Sequence, residues 1–508
     1  MTAPTTARPL LVGDVFRHAA IAVPQRTAAV FGADVITFAD VQARAEEVAR
    51  TLRTFGVGRG DRVAVWSGTS IDLVPLFAAC AQAGAVFVPL NPALAGNEVE
   101  AMLAIARPAL LVADAPRADA AAALATAVPC TLLESVRDPH GMPRGSRTDS
   151  GGSVDTESAV TADVDEGDPH VVFFTSGSTG APKGVVLSHR INVLRSHPGA
   201  QFEPRGVAVC AFPLFHMAAW TIALQQWQAR DAVVFVGAAT AEAITSAVRD
   251  HRAARLNAVP LVWRRVLDHV ATLPADRSPL ASLRFADTGT SATPPALLSA
   301  MRDAMPHACV RVFYGSTEAG NVATLEHHDL DRKPGRVGVP SVHTELRIDD
   351  DGELLVRGPL LFDGYFDDPA ATAGAFVDGW YRTGDLAERD ADGYVSIVGR
   401  AREVIRSGGE SVAPLEVEAV LGAMPSVADV AVIGLPDADW GEVVGAVVVT
   451  APGADAPTID EVRAHCADRL APFKHPRRLV VLDAIPRTPA TGQVQRRLLV
   501  EQVLIADG

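Results

Sequence analysis

Apolar and polar positions in the first hundred residues switch between two periods. From Phe38 to Phe55, Val41, Ala45, Val48 and Leu52 recur at helical spacing and predict an amphipathic helix. Gly56 to Gly60 breaks that pattern. The short apolar runs Arg62–Trp66 and Ala85–Leu90 then read as strands, with a helical stretch, Ser70–Ala83, between them. Strand–helix–strand order of this kind implies a parallel sheet with crossover helices.

Residues 138–168 carry Gly, Ser, Asp and Thr with almost no apolar positions, which predicts a surface loop or disordered insert. Immediately after it, Val171-Val172-Phe173-Phe174 reads as a buried strand. Alternation of strand and helix signals resumes past Val207 and runs to about residue 340. Glu353–Gly358 and Gly393–Val398 look like strands of a β-rich section. Residues 402–508 follow the order strand, helix, strand, strand, helix, strand, a pattern suited to a small α+β domain. No internal repeat is present.

Composition narrows the class of function. A chain of 508 residues exceeds one ordinary core, so at least two domains are expected. A net charge of −15 argues against nucleic acid or an acidic membrane as the main partner, although a local site can still be basic. Cys80, Cys130, Cys210, Cys309 and Cys466 are scattered without metal-type spacing and read as reduced thiols of a cytoplasmic protein. Met1–Pro9 shows no signal pattern, and no apolar run is long enough to span a membrane.

The most informative chemistry is Thr175-Ser176-Gly177-Ser178-Thr179-Gly180-Ala181-Pro182-Lys183-Gly184, directly after the predicted strand. Glycines let the backbone approach a ligand and turn its N–H groups inward. Hydroxyls add donors, and Lys183 adds a point charge suited to phosphate. The order G-x-x-x-x-G-K-[ST] of the common P-loop is absent.

Three further segments carry candidate groups. In Phe313-Tyr314-Gly315-Ser316-Thr317-Glu318, Tyr314 can stack on a purine, Thr317 can bond a phosphate and Glu318 can hold Mg²⁺. In Trp380-Tyr381-Arg382-Thr383-Gly384-Asp385-Leu386, Asp385 can bind ribose hydroxyls, and a β-turn Asp is the plainer alternative. Arg400 can reach ribose or phosphate, and Ile405-Arg406-Ser407-Gly408-Gly409-Glu410 is a glycine-rich turn.

Together these segments resemble the adenylate-forming superfamily of acyl-CoA synthetases, luciferases and peptide-synthetase adenylation domains, from roughly residue 10 to 500. Thr175–Gly184 is similar to its phosphate loop, and Pro213-Leu214-Phe215-His216 to the segment whose His lies near the acyl pocket. Tyr314–Glu318 resembles the adenine and Mg²⁺ motif, Asp385 the ribose-binding acid, and Arg400 the arginine ahead of the hinge. Leu470–Pro476 and Ile485–Thr488 are similar to the C-terminal signature.

The resemblance implies an α/β N-terminal domain, residues 1–401, with parallel sheets, helices and a β-rich subdomain. A small α+β lid, residues 402–508, would follow, hinged at Arg402, where family members usually have Asp or Lys. It also implies two steps: an acid attacks the α-phosphate of ATP, and a thiol or amine then displaces AMP. Gly408 and Gly409 resemble the lid turn that lines the pantetheine tunnel, which favours CoA as acceptor.

One position departs from the pattern. The family's lid ends in a Thr/Asn-Gly-Lys-Val/Ile motif whose lysine reaches the reacting carboxylate and α-phosphate. Here the stretch is Ala490-Thr491-Gly492-Gln493-Val494-Gln495-Arg496-Arg497, so Gln493 stands where the cation is expected, and no lysine follows Lys474. Gln donates hydrogen bonds but cannot neutralise charge. Loss of one such contact typically costs about 10²–10³ in rate.

Four readings are open. The chain is a slower ligase in which Lys183, Mg²⁺ and Arg496 or Arg497 do the charge work, or an ATP-dependent diazotase that activates nitrite for an aryl amine. Alternatively it takes a preformed adenylate through the thioester step only, or binds nucleotide without turnover.

By the same resemblance, the substrate pocket lies between the His216 and Tyr314 segments. His216, Met217, Ala218, Ala219 and Trp220 are candidate wall residues, although Trp220 and Trp227 also share a helical face suited to a core. His216 reads as a gate or packing residue ahead of a catalytic base. Asp287-Thr288-Gly289-Thr290-Ser291 would cradle base and substrate, where relatives often have plain Gly-Gly-Ala. The added hydroxyls and Asp287 predict a polar pocket for a small or aromatic acid.

Overall fold

The structure is a computed structural model that describes residues 9–124, 128–137, 163–176, 182–197, 205–274, 278–407, 410–437, 440–488 and 492–506. Most of the predicted insert, 138–162, lies outside the described residues.

The early elements follow the hydrophobic pattern. The helix Phe38–Thr54 opens on a capping box, in which the Asp40 N–H donates to Thr37 Oγ1 and the Thr37 N–H donates to the Asp40 carboxylate. It buries Val41, Ala45, Val48 and Leu52. Strands form at Arg62–Trp66 and Val86–Leu90, and they pair in parallel. The helix between them spans Leu73–Ala83, starting later than the pattern predicted because Ser70 Oγ accepts the Asp72 N–H and holds a turn there.

Two large sheets make up the N-terminal part. One has seven strands, with Val86–Leu90, Arg62–Trp66, Leu110–Ala113 and Cys130–Leu132 running parallel. Its other side carries the antiparallel hairpin Pro169–Ser176 and Pro182–Ser188. The second has nine strands, with a parallel centre that includes Ala208–Cys210, Arg255–Asn257, Phe285–Gly289 and Cys309–Ser316. One continuous core lies between them, joining Phe87 and Val171 of the first sheet to Ala28, Cys210 and Val233 of the second. A third, antiparallel sheet carries Glu353–Arg357, Trp380–Arg389 and Val395–Arg400.

The C-terminal part has a sheet of its own. Its centre is the long hairpin Val427–Asp437 and Gly441–Thr450. Helices Pro414–Leu421 and Ile459–Cys466 cover one face. The predicted element order holds with two additions. The first strand is a hairpin, Ile405–Ser407 with Glu410–Val412, and the chain ends in a helix, Arg496–Ala506. That helix buries Leu499 and Val503 on the other face of the sheet, against Ala431, Ile433 and Val447. Its short apolar repeat, which follows paired arginines and is broken by Glu501 and Gln502, is too brief to stand out as periodic.

All five cysteines are free thiols, and burial pushes Cys80 and Cys210 up to about 12. No helix among the described residues is long and apolar enough to cross a membrane.

A buried histidine pair sits in the central core. His170 and His189 lie 4.8 Å apart between ring centroids, and His189 Nδ1 accepts the Val12 N–H. Burial holds His170 well below its usual range and His189 at about 4, although Asp168 and Asp14 pull His189 upward. Both are therefore neutral in the folded protein and more basic when unfolded. Stability is complete above the unfolded value near 6.5 and is lost as pH falls from there towards 4. The thermal midpoint is expected to drop between pH 7 and pH 5, and His170→Phe to remove part of that slope. An equal slope in the variant would exclude His170 as a cause.

Candidate active site

The Tyr314 and Asp385 segments meet at the C-terminal ends of the parallel strands, where open α/β sheets commonly bind ligands. Asp385 is not in a β-turn. It lies within the strand Trp380–Arg389, opposite Arg400 in register. Arg400 Nε lies 2.9 Å from Asp385 Oδ1, and the Tyr314 hydroxyl donates to Oδ2 at 2.5 Å. Burial pushes the Asp385 carboxyl up, against the pull of Arg400 and Tyr314. The Tyr314 hydroxyl is held well above its usual range by burial and by that carboxylate. The result is a buried, oriented acceptor that can receive vicinal hydroxyls.

Thr317 and Glu318 occupy the turn between Cys309–Ser316 and Gly320–Leu325. The turn is so tight that a Cβ on Gly315 would sit 1.9 Å from Gly320 O. Tyr365 donates its hydroxyl to Glu318 Oε1 at 3.3 Å and bonds with Tyr381, and Lys183 Nζ stands 4.6 Å from the Tyr365 ring centre. Burial and Glu318 push both tyrosine hydroxyls up. Three of the chain's four tyrosines thus converge here. Tyr365 belongs to none of the motif segments, and Tyr381 stands in the Asp385 segment, four residues before the carboxylate.

The candidate phosphate loop turns out to cap a hairpin. Thr175 pairs with Lys183 and Ser176 with Pro182. Gly184 is needed for packing, because a Cβ there would lie 2.8 Å from Val172 Cγ1. The loop's tip, Gly177, Ser178, Thr179 and Gly180, lies outside the described residues, as do Gly408 and Gly409.

Among the described residues no group of three His, Cys, Asp or Glu side chains could cage a metal ion. Glu318 offers one oriented carboxylate. That donor set fits Mg²⁺, which keeps waters and is held by one or two carboxylates plus the phosphates it accompanies.

On the substrate side, several side chains are placed otherwise than the sequence predicts. Trp220 is 2% exposed, stacks on Phe77 at 4.1 Å and donates Nε1–H to Leu214 O. It is a core residue, not a pocket wall, because its position on the helix Met217–Gln228 faces the central core. Asp287 does not add polarity to a pocket, since Arg311 holds its carboxylate through two bonds of 2.8 and 3.0 Å. Thr288 is fully buried, and its hydroxyl meets no partner among the described residues. Of Asp287, Thr288 and Thr290, only Thr290 is exposed.

Gly289 is required, because a Cβ would lie 2.1 Å from Phe313 O. Thr290 then takes φ +65°, a left-handed conformation that a β-branched residue rarely adopts. His216 precedes the helix without capping it, and its ring lies 4.5 Å from Phe215. Burial pushes the imidazole down to about 4, so it is a weak base at neutral pH, consistent with a gate or packing role. Met217 follows it, partly buried against the central core, with Sδ accepting the Thr221 hydroxyl.

Gln493 reaches this site from the C-terminal part. Arg487, paired with Asp429, donates to Gly492 O, and the Thr488 hydroxyl accepts the Gln493 N–H. This turn sets Gln493 Nε2 at 3.4 Å from Thr290 O. Neither nearby arginine can replace the missing cation. Arg496 is committed to Glu403 at 2.8 Å and Glu418 at 2.6 Å, and Arg497 is exposed beside Glu501.

Comparison with known proteins gives the family. Residues 16–366 match the AMP-binding enzyme family and residues 416–491 its C-terminal domain. The chain is 35% identical to a feruloyl-CoA synthase of Amycolatopsis sp over 501 residues, covering 93% of this chain and 96% of the relative. It is 32% identical to the long-chain-fatty-acid–CoA ligase FadD13 of Mycobacterium tuberculosis, covering 92% and 93%. Its fold is similar to that of ATP-bound MatB from Rhodopseudomonas palustris, with TM-score 0.83, 30% identity and coverage of 96% and 98%. The chain therefore belongs to the AMP-binding enzyme family, as an AMP-forming ligase of the acyl-CoA synthetase type.

Proposed function

We propose that this ligase activates a small or aromatic carboxylic acid with ATP and passes the acyl group to CoA. The observation that carries it is the convergence of two clusters on one strand end, Asp385 with Tyr314 and Arg400, and Glu318 with Tyr365 and Lys183. In this reading Asp385 accepts the ribose hydroxyls, Tyr314 and Gly289 border the base, and Arg400 stands beside the ribose. Thr175, Ser176, Gly177, Ser178, Thr179, Gly180, Lys183 and Thr317 hold the phosphates. Glu318 would hold Mg²⁺, which supplies charge neutralisation to the polyphosphate when bound.

The acid's carboxylate oxygen attacks the α-phosphorus of ATP and pyrophosphate leaves. The CoA thiol, having lost its proton, then attacks the acyl carbonyl and AMP leaves. Gly408 and Gly409 would border the pantetheine arm. Residues 1–401 form the adenylating domain and 402–508 the lid in this scheme, and the free cysteines suit a cytoplasmic enzyme.

His216, Met217 and Thr290 form the acyl wall. Thr290 is the exposed polar side chain of its segment, which supports a small or aromatic acid over a long apolar chain. The similarity to a feruloyl-CoA synthase supports the same choice. The names of the relatives, as CoA ligases, favour the thioester over the nitrite reading.

The test is pyrophosphate release across aromatic, short-chain and long-chain acids, with and without CoA. Turnover is expected with an aromatic acid, with a CoA thioester as product. Turnover with nitrite and an aminobenzoate, and with no carboxylic acid, would overturn the proposal.

A further inference from the structure

Arg195 lies in the last turn of the helix His189–Ser196, which follows the strand leaving the candidate phosphate loop. Its guanidinium donates to three main-chain carbonyls: Nε to Leu360 O at 2.9 Å, Nη1 to Thr317 O at 2.8 Å and Nη2 to Glu318 O at 2.8 Å. Among the described residues it makes no ion pair with a carboxylate. Glu318 and Asp363 face it only at longer range. Burial lowers its pKa to about 10, which leaves it charged at neutral pH.

A buried charge is costly unless its hydrogen-bonding capacity is filled, and an apolar side chain of similar length would pack more cheaply. What the guanidinium provides is geometry. It joins the helix His189–Ser196, the Thr317–Glu318 turn and the segment 360–366, in which Gly364–Tyr365 forms a short strand paired with Pro182–Ser188. Gly320 closes against it, for a Cβ there would lie 2.9 Å from Arg195 Nε. The Phe362 N–H also donates to Glu318 O at 2.7 Å, and Asp363 accepts the Ser188 N–H at 2.6 Å. With both turn carbonyls drawn inward, the peptide planes are fixed and the Glu318 carboxylate is left to meet Tyr365 on the Lys183 side.

We propose that Arg195 is a positioning residue for divalent-cation binding: by clamping the Thr317 and Glu318 carbonyls, it presents the Glu318 carboxylate to a cation carried by a nucleoside triphosphate. The inference rests on the reading of Glu318 as the cation ligand.

The experiment measures the thermal shift produced by ATP as MgCl₂ is titrated, using the full chain and no acid substrate. In Arg195→Met the MgCl₂ needed for half the shift is expected to rise about tenfold or more, the usual cost of losing an outer-shell partner. Arg195→Lys should recover part of that loss, and it decides the matter on the same readout if the Met variant does not fold. Asn192→Ala is the structural control. Asn192 is buried on the same helix and bonds Leu187 O and Ser188 O. This control should lower the midpoint without changing the Mg²⁺ requirement. An unchanged requirement in folded Arg195→Met, or an equal rise in Asn192→Ala, overturns the inference. Glu318→Gln separates the role of Arg195 from that of Glu318. A raised requirement there with none in Arg195→Met refutes the role of Arg195 alone. An unchanged requirement in Glu318→Gln refutes the cation reading beneath it.

Discussion

Replacing Asp385 with Ala is expected to raise the dissociation constant for ATP about 10²-fold or more while leaving the chain folded. A carboxylate that accepts two hydroxyls contributes about 1.5–3 kcal/mol for each charged hydrogen bond, and each 1.4 kcal/mol is about tenfold in affinity. The site is organised for this, since Tyr314 and Arg400 hold the two carboxylate oxygens. Substitution also strips the buried Tyr314 hydroxyl and Arg400 of their common partner. Asp385→Asn keeps the shape and one acceptor oxygen, so an intermediate loss is expected. Titration calorimetry with ATP, alongside the thermal midpoint, measures both effects. An affinity within about fivefold of the native value would remove Asp385 from the nucleotide site, as one neutral hydrogen bond accounts for that much.

The layered α/β architecture was legible because it rests on local patterns. Arg62–Trp66 and the helix from Phe38 announce themselves through period and capping residues. Candidate site residues that belong to short motifs were legible for a related reason, because glycines such as Gly289 and Gly315 are forced by close backbone approach and so stand out near strand ends. Hidden features depend on contacts between distant segments. Nothing local distinguishes Asp287 as the partner of Arg311 from Asp287 as a pocket lining, because a strand residue's face depends on the neighbouring strand. Arg195 reads as an ordinary basic residue near a helix end until its partners at 317, 318 and 360 are brought to it. Trp220 carried both readings in the sequence, and only the stack on Phe77 decides between them.

Gln493→Lys is the substitution expected to increase activity, with pyrophosphate release rising about tenfold or more at saturating ATP and acid. The reaction joins a carboxylate to a phosphate, so two anions must approach, and a preorganised cation at that point is typically worth about 10²–10³ in rate. Among the described residues, the surroundings of Gln493 supply no substitute. Arg400 is neutralised by Asp385, Arg496 by Glu403 and Glu418, and Lys183 lies over Tyr365 on the Glu318 side. The turn that presents position 493 is anchored by Arg487 and Thr488 rather than by the glutamine side chain, so a lysine would be delivered in the same direction. The full factor is not expected, because the native partner of this position is the Thr290 carbonyl, placed by a left-handed backbone rather than by a charge. Gln493→Ala removes only that long neutral hydrogen bond and should change the rate less than about tenfold. A Lys variant no faster than the native chain, paired with a strongly impaired Ala variant, would reverse the interpretation. The amide would then be the working group, and the bond it makes to Thr290 would be what holds the lid for adenylation.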